Sequence, residues 1–362
     1  MKALVNFEES IRSPETRVTY RKYLKHFLDF AKIDADSFVK LGNSEIEEKV
    51  MAYVVKLKRR IEAGDLSPNS INVIISPIQL FLVQNDVILN WKKIKRMFPR
   101  RKKPQNELPY TTEDIQKMLI STTSLRDKAF IHILASTGCR LGAIKDLQVK
   151  HLKEIEDCCA VTIYENDLEE YVGFLTPESY RMLKEYFDHR REFGEVITKE
   201  SPLITGAGHS AGKNVSPKAF QIIMHKILKN SRLRSSLANS KMRHHKAQNH
   251  AFRKRFNTIL KMNNSVNHNI AEKLMGHKNG LDGVYLKPTL EQLFVEFKKV
   301  IPELTIDESE RLRLQNRIKD EKIKKTESEK NARISSLEKK MSTIEKLLRQ
   351  IDKSDPHNAN QQ

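Results

Sequence analysis

The sequence lacks the features that would assign it to a secreted or membrane protein. Only three of its 362 residues are cysteines, and two of these are adjacent, so no disulfide framework is expected. There is no run of about eighteen apolar residues, the length that a membrane-spanning helix needs. The apolar stretch at the N-terminus is too short for a signal peptide. These absences predict a protein of the reducing cytoplasm that does not enter a membrane.

Motifs for metal and nucleotide binding are also missing. No C-x-x-C or H-E-x-x-H accompanies the cluster His244, His245 and His250, which argues against a zinc site. The G-x-x-x-x-G-K-[ST] loop that cradles nucleotide phosphates does not occur either. We therefore expect neither a metal nor another cofactor.

Acidic residues are absent from one long part of the chain. Between Ser201 and Ala271 there is no Asp or Glu, whereas Lys and Arg recur throughout, and the whole chain carries a net charge of +19. An ordinary surface mixes both signs of charge, so a one-signed stretch indicates a polyanionic partner. A basic membrane-surface protein is the alternative, but double-stranded DNA is the partner that we expect.

The distribution of apolar residues predicts two domains, mainly α-helical with a small β-sheet. Helical periodicity over residues 1–99 predicts a small all-helical domain. Residues 110–304 predict a second domain, in which residues 157–176 form strands around a turn. A charged helix is expected over residues 305–354, and residues 355–362 are expected to be disordered.

The charged C-terminal helix contains apolar residues that step by three and four. This spacing matches the a and d positions of nearly three heptads, and it favours a short coiled coil or a docking helix over a solvated tail. The residues of this seam are Ile334, Leu337, Met341, Ile344, Leu348 and Ile351.

A basic segment precedes the second domain. Eight of the twelve residues from 92 to 103 are Lys or Arg, and we predict a linker over residues 100–109 that contacts a phosphate backbone. Two domains joined in this way can close around a duplex as a clamp. The predicted DNA contacts are Lys92, Lys93, Lys95, Arg96, Arg100, Arg101, Lys102, Lys103 and, in the acid-free stretch, Lys254 and Arg255.

Four short motifs carry groups that suit phosphodiester chemistry. They are S-T-G-C-R at 136–140, H-A-F-R at 250–253, L-M-G-H-K at 274–278 and G-V-Y-L at 283–286. Arginine offers a fixed fork of donors that fits two phosphate oxygens. Histidine can move a proton near neutral pH, and a tyrosine oxygen can act as a covalent nucleophile.

In their order and spacing, these motifs resemble those of the tyrosine recombinase (phage integrase, Xer-like) family, with an archaeal or archaeal mobile-element integrase as the expected subtype. The resemblance implies a site-specific recombinase that works as a homotetramer on DNA. The catalytic residues that it implies are Arg140, His250, Arg253, His277 and Tyr285. The arginines and His277 would bind one phosphate, His250 would take the tyrosine proton, and Tyr285 would form a 3′-phosphotyrosyl link.

Two positions depart from the family pattern. Ala143 stands three residues after Arg140, where the family usually has a glutamate. The turn of the predicted hairpin holds acids where the family has a catalytic lysine, and no lysine lies between Lys153 and Lys184. The candidates for a recruited lysine are Lys150, Lys153, Lys213 and Lys278.

Two alternatives remain open at the level of sequence. A type IB topoisomerase uses a similar set of residues as a monomer, and a recombinase relative with decayed chemistry would keep only DNA binding. The departures favour the second alternative, whereas the five intact site residues oppose it.

Overall fold

The computed structural model describes residues 2–102, 108–206, 208, 211–234, 248–277 and 285–354, with side chains up to residue 346. The described residues divide into two compact units, one ending at residue 102 and one beginning at residue 108. The predicted linker over residues 100–109 lies partly outside the described residues, so the domain boundaries stay predictions.

The first unit consists of helices packed around phenylalanines. Phe7, Phe27 and Phe81 are fully buried, and the rings of Phe7 and Phe81 meet edge to face with centroids 5.9 Å apart. The second helix begins where the sequence predicts, because Ser13 caps it and Pro14 occupies its first turn. The helices are α1 (Lys2–Glu9), α2 (Pro14–Ala31), α3 (Ala35–Phe38), α4 (Asn43–Glu62), α5 (Ile71–Val83) and α6 (Trp91–Arg96).

The second unit is also mainly helical, which confirms the predicted fold class. Thr111 and Asp114 form a capping box at the start of its first helix, where the sequence predicts a cap. The helices are α7 (Thr112–Ile120), α8 (Leu125–Thr137), α9 (Leu141–Ile144), α10 (Pro177–Glu192), α11 (Pro217–Asn230), α12 (His250–Met262), α13 (His268–Leu274), α14 (Leu290–Lys298), α15 (Ile301–Leu304) and α16 (Glu308–Ser354).

A three-stranded antiparallel sheet separates two hydrophobic cores of the second unit. Its strands are β1 (Leu152–Ile155), β2 (Cys158–Ile163) and β3 (Tyr171–Leu175), in the order β1-β2-β3. Because successive side chains of a strand point to opposite faces, Cys158 lies in one core and Cys159 in the other. All three cysteines of the chain are free and buried. The sequence predicts β2 and β3, whereas β1 is an addition.

The start of the C-terminal helix is built into the second unit. Ile306 belongs to the core, and the buried Glu178 carboxylate accepts the backbone N–H groups of Ile306 and Asp307 at 2.8 and 3.0 Å. Arg181 pairs with Glu310 at 2.6 Å in the first turn of α16. None of the described helices combines the length and hydropathy of a membrane span.

Candidate active site

Arg253 is held by backbone carbonyls from two different segments of the chain. It lies in the first turn of α12, where Nη1 donates to the Gly138 carbonyl at 3.0 Å and Nη2 donates to the Met275 carbonyl. The residue is 5% exposed, and its guanidinium retains further N–H groups for another acceptor. Arg253 therefore joins the segment ahead of Arg140 to the segment ahead of His277.

Arg140 follows a glycine turn at the end of α8. Gly138 ends that helix with a positive φ of 57°. A Cβ at Gly138 would lie 2.6 Å from the Phe256 side chain on α12, so glycine permits the close packing of these two helices. Arg140 then adopts an extended conformation, with 45% of its side chain exposed and its Nη1 2.9 Å from Glu169. Its charge is thus already paired.

His277 is oriented by a carboxylate from its own helix segment. Gly276 has a φ of +62°, and a Cβ there would lie 2.5 Å from the Tyr171 ring on β3. This turn places the His277 Nδ1 2.6 Å from the Glu272 Oε2. With Nδ1 bonded to the carboxylate, Nε2 is the ring nitrogen left to face a substrate.

Glu272 is a buried carboxylate that accepts hydrogen bonds from two basic side chains. Burial acts to raise its pKa, but hydrogen bonds from Lys261 and His277 outweigh burial and hold the pKa below its usual value. Lys261 on α12 and Glu272 on α13 also form an ion pair, so the acid fixes these helices together. The Glu272 carboxylate therefore fixes the His277 ring, because it accepts the hydrogen bond at Nδ1.

His250 and Tyr285 complete the predicted set, but no described hydrogen bond links them to Arg140, Arg253 or His277. His250 is the first residue of α12 and is exposed, one helical turn before Arg253. Tyr285 is 79% exposed. Residues 278–284, which connect His277 to Tyr285, lie outside the described residues. The structure therefore brings Arg140, Arg253 and His277 together through shared backbone contacts and leaves Tyr285 accessible to solvent.

The turn between β2 and β3 is closed by its acidic side chains. Glu170 accepts the Asn166 backbone N–H at 2.6 Å, and Asp167 accepts that of Glu169 at 2.8 Å. Glu169 also reaches Arg140. The acidic residues that stand where the family has a lysine therefore shape this turn. One of them, Glu169, forms an ion pair with Arg140.

Lys150 is the recruited-lysine candidate with a described contact to this turn. Its Nζ lies 2.8 Å from the Glu165 Oε2, and the His151 Nε2 lies 3.2 Å from the same oxygen. Hydrogen bonds from Lys150 and His151 lower the pKa of Glu165. Lys153 lies on β1, and Lys278 is outside the described residues.

Most of the predicted DNA contacts are on the surface, but one is not. The exposed ones are Lys92, Lys93, Lys95, Arg96, Arg100, Arg101 and Lys102. Lys103 is outside the described residues, and Lys254 is half-buried.

Arg255 is buried, and its predicted contact with DNA stays a prediction. Arg255 is 5% exposed and donates to the Thr112 hydroxyl at 3.0 Å and to the Glu303 carbonyl at 2.8 Å. Burial lowers its pKa to about 10. This guanidinium ties α12 to α7 and α15.

Sequence reasoning missed three residues that organise the site, namely Lys261, Glu272 and Glu169. One signal was present, because Glu272 is the first acid after the long acid-free stretch and lies five residues before His277. Nothing in the sequence marks Glu169 as the partner of Arg140. Within the described part of the chain, no three His, Cys, Asp or Glu side chains are grouped as metal ligands would be.

Residues 106–281 match the model of the phage integrase family. This region contains Arg140, Arg253 and His277 and the β-sheet beside them. Residues 106–281 are therefore similar to the domain that defines the phage integrase family.

Among characterised proteins, a tyrosine recombinase XerC of Lactobacillus delbrueckii subsp. bulgaricus is 24% identical over 182 residues. The alignment covers 49% of this chain and 56% of XerC, so the chain spans little more than half the length of this relative.

Three solved structures have a similar fold. A XerH site-specific recombinase bound to a palindromic difH substrate is 17% identical, has a TM-score of 0.52, and matches 73% of each chain. The Tn1549 transposon integrase in complex with transposon right end DNA is 14% identical, with a TM-score of 0.52, and matches 82% of this chain and 99% of its own. A lambda integrase dimer bound to a COC′ core site is 12% identical, with a TM-score of 0.50, and matches 80% of this chain and 98% of its own.

Proposed function

We propose that this protein is a site-specific DNA recombinase that cuts and rejoins DNA through a phosphotyrosine at Tyr285. The observation that carries the proposal is the position of Arg253, whose guanidinium binds the carbonyls of Gly138 and Met275. This arrangement supports a common site for Arg140, Arg253 and His277, because Gly138 and Met275 lie two residues before Arg140 and His277. A single phosphate is the substrate that such a set fits, because all three groups can donate to its oxygens.

The reaction that these groups support is an exchange of one phosphodiester for another. The Tyr285 oxygen attacks phosphorus and gives up its proton, which His250 accepts. The bond from phosphorus to the 5′-oxygen breaks, and that oxygen must take up a proton. The new 3′-phosphotyrosyl ester keeps the energy of the broken bond, so a 5′-hydroxyl can reverse the step without a nucleotide.

Charge stabilisation is the main task of the remaining groups. The phosphorane gains negative charge on its non-bridging oxygens, and Arg140, Arg253 and His277 would neutralise it. Arginines in phosphoryl transfer are worth about 10³-fold or more in rate. Glu169 would compete with a phosphate for Arg140, and this exchange is open because the Arg140–Glu169 pair is half exposed.

Double-stranded DNA is the proposed substrate, with four copies of the chain exchanging strands between two duplexes. The exposed cations from Lys92 to Lys102 and the net charge of +19 support a phosphate backbone as the partner. Association of the protein with cellular DNA follows from the same charges.

The test is a nicked suicide substrate, in which the freed strand diffuses away and the covalent adduct accumulates. We expect an adduct with the native protein and none with Tyr285→Phe, which should still bind DNA. Tyr180→Phe is the matched control, because its hydroxyl pairs with Glu154 outside the site. An undiminished adduct in Tyr285→Phe would mean that another residue attacks.

The same assay separates the alternative functions. Absence of any adduct from the native protein, despite DNA binding, would show that the chemistry has decayed. An adduct together with relaxation of supercoils, but without recombination between two sites, would indicate a topoisomerase.

A further inference from the structure

The distal part of α16 is a long single helix that leaves the second unit. The helix spans Glu308–Ser354, about 70 Å at 1.5 Å per residue. Its first turns contact the unit through Glu310 and Leu314. Every residue from 319 to 346 is exposed. This part of the helix therefore has one whole face available for a partner.

An apolar seam runs along the exposed helix. Ile334, Leu337, Met341 and Ile344 are each more than half exposed, and they step by three, four and three residues. In sequence, the same spacing continues at Leu348 and Ile351. Single exposed apolar residues are ordinary on a protein surface, but a continuous a/d stripe is the pattern by which helices associate.

We propose that residues 333–352 bind a second copy of this chain as a parallel, in-register coiled coil. The charges beside the seam identify the partner. Arg333 and Lys340 occupy g positions, and Glu338 and Glu345 occupy the e positions five residues later. In a parallel pair, each g residue faces the e residue of the next heptad on the other helix, so Arg333 meets Glu338 and Lys340 meets Glu345.

The same charges disfavour the opposite orientation. In an antiparallel pair, g positions face g positions and e positions face e positions. Arg333 and Lys340 would then face cations, and Glu338 and Glu345 would face carboxylates. Because all four pairings are attractive in one orientation and repulsive in the other, the seam selects a copy of itself in parallel.

The length of the helix before the seam determines what such a contact can do. Residues 308–333 span about 39 Å of helix and are mainly polar. Two copies can therefore be joined at their distal ends without contact between their catalytic units. Three heptads form a short seam, so we expect association to depend on protein concentration and to strengthen when DNA brings copies together.

Introduced cysteines test the pairing in the full chain without DNA. All three native cysteines are buried, so a cysteine placed on the exposed helix is the reactive one. In a parallel, in-register pair, each position faces its own copy, and we expect both Leu337→Cys and Ile344→Cys to form disulfide-linked pairs on mild oxidation. Lys339→Cys, on the outer face of the same helix, is the matched control and should not crosslink.

Each outcome of the oxidation decides the proposal. Equal crosslinking at Leu337→Cys and Lys339→Cys, or none at either, would overturn the seam as a contact between copies. Crosslinking at only one of Leu337→Cys and Ile344→Cys would overturn the parallel register, since an antiparallel pair brings at most one of them opposite itself. These substitutions lie at exposed positions and leave the core unchanged.

Charge reversal provides an independent measurement. In the Leu337→Cys background, Glu338→Lys with Glu345→Lys should abolish crosslinking, and so should Arg333→Glu with Lys340→Glu. A mixture of the two variants should restore it between unlike chains. If the mixture of variants does not crosslink, the charge pairs do not contribute to the contact between copies. A negative crosslinking result would not affect the proposed function. The cleavage assay measures the covalent adduct at Tyr285, whereas the crosslinking assay contains no DNA.

Discussion

The two arginines of the candidate site are held in opposite ways. Arg253 is buried and bound by two backbone carbonyls, whereas Arg140 is half exposed and paired with one carboxylate. Removing Arg253 leaves buried acceptors without donors, which costs stability. An exposed ion pair contributes little to stability, so Arg140 can exchange Glu169 for a phosphate at small cost. In the proposed reaction, Arg253 therefore serves the framework of the site as well as the phosphate, whereas Arg140 serves the phosphate alone.

The same contrast extends to the groups around each arginine. On the side of Arg253, Lys261 and Glu272 lock α12 to α13 and orient His277. On the side of Arg140, the β2–β3 turn is acidic and solvent-exposed, and it lacks the lysine of the family. In the proposed reaction, the side around Arg253 is therefore formed before DNA binds, whereas on the side of Arg140 a carboxylate competes with the phosphate.

The largest effect is expected from Arg253→Ala. Loss of the guanidinium leaves the Gly138 and Met275 carbonyls unsatisfied, and we expect a loss of about 2 to 4 kcal/mol in the free energy of unfolding. Cleavage of a suicide substrate should fall by about 10³-fold or more. Thermal unfolding and adduct formation measure the two effects. A variant as stable as the native protein would show that Arg253 is not part of the framework.

Arg140→Ala should match Arg253→Ala in activity and differ from it in stability. The cleavage rate should fall by about 10³-fold, because one donor to the phosphorane is lost. The unfolding temperature should stay close to that of the native protein, since only an exposed pair is broken. DNA binding should change little, because many other cations share it. If the two substitutions lower the unfolding temperature equally, the two arginines do not differ in their contribution to stability.

The fold class was accessible from the sequence, because helical periodicity and capping residues are local signals, whereas the catalytic set, which rests on motif spacing, stays a prediction. Strand β1 escaped because a four-residue segment at the sheet edge, Leu152–Ile155, has no distinctive pattern. The structural role of Arg255 was missed because composition reports charge without burial. α12 packs against other elements on more than one side, and so buries both Arg253 and Arg255. The pairing of Glu169 with Arg140 joins residues 29 apart in sequence, and no local signal predicts it.

Lys150→Ala tests whether Lys150 is the general acid that protonates the departing 5′-oxygen. Lys150 contacts Glu165 in the turn, and a general acid contributes about 10² to 10⁴-fold in rate. We expect a loss of about 10²-fold on an ordinary substrate. The loss should disappear when sulfur replaces the 5′-bridging oxygen, because a thiolate leaves without a proton.

Lys153→Ala and Lys213→Ala are the matched controls for Lys150→Ala. A sulfur-repaired loss in either of them would transfer the role to that residue. A native protein that itself cuts the sulfur substrate much faster would mean that no acid assists.

Glu272→Gln changes the side of the site around Arg253, and it should lower the rate of cleavage less than the substitutions above. Glutamine can still accept from the His277 Nδ1–H, but it removes the charge that pairs with Lys261. We expect about a tenfold loss in the rate of cleavage, the size typical of groups that orient a ligand. Glu272→Ala, which also removes the acceptor for His277, should lose more activity than Glu272→Gln. Equal losses of activity in the two variants, in proportion to a lower unfolding temperature, would indicate a structural role alone.

The smallest effect is expected from Glu169→Gln, which changes only the ion pair of the exposed Arg140. Breaking the pair with Arg140 frees a cation for phosphate, and an exposed pair is worth at most about 1 kcal/mol, or about fivefold in affinity. DNA binding should therefore tighten by a few-fold, and the gain should shrink as salt screens the charges. Glu170→Gln removes the same charge from the same turn, but the described contact of Glu170 is with the Asn166 backbone rather than with Arg140. It is the matched control for net charge. If the two variants tighten binding equally, Glu169 acts only through the general field. If Glu169→Gln alone tightens it, the carboxylate competes with DNA for Arg140, and the turn sets how readily the exposed arginine accepts its substrate.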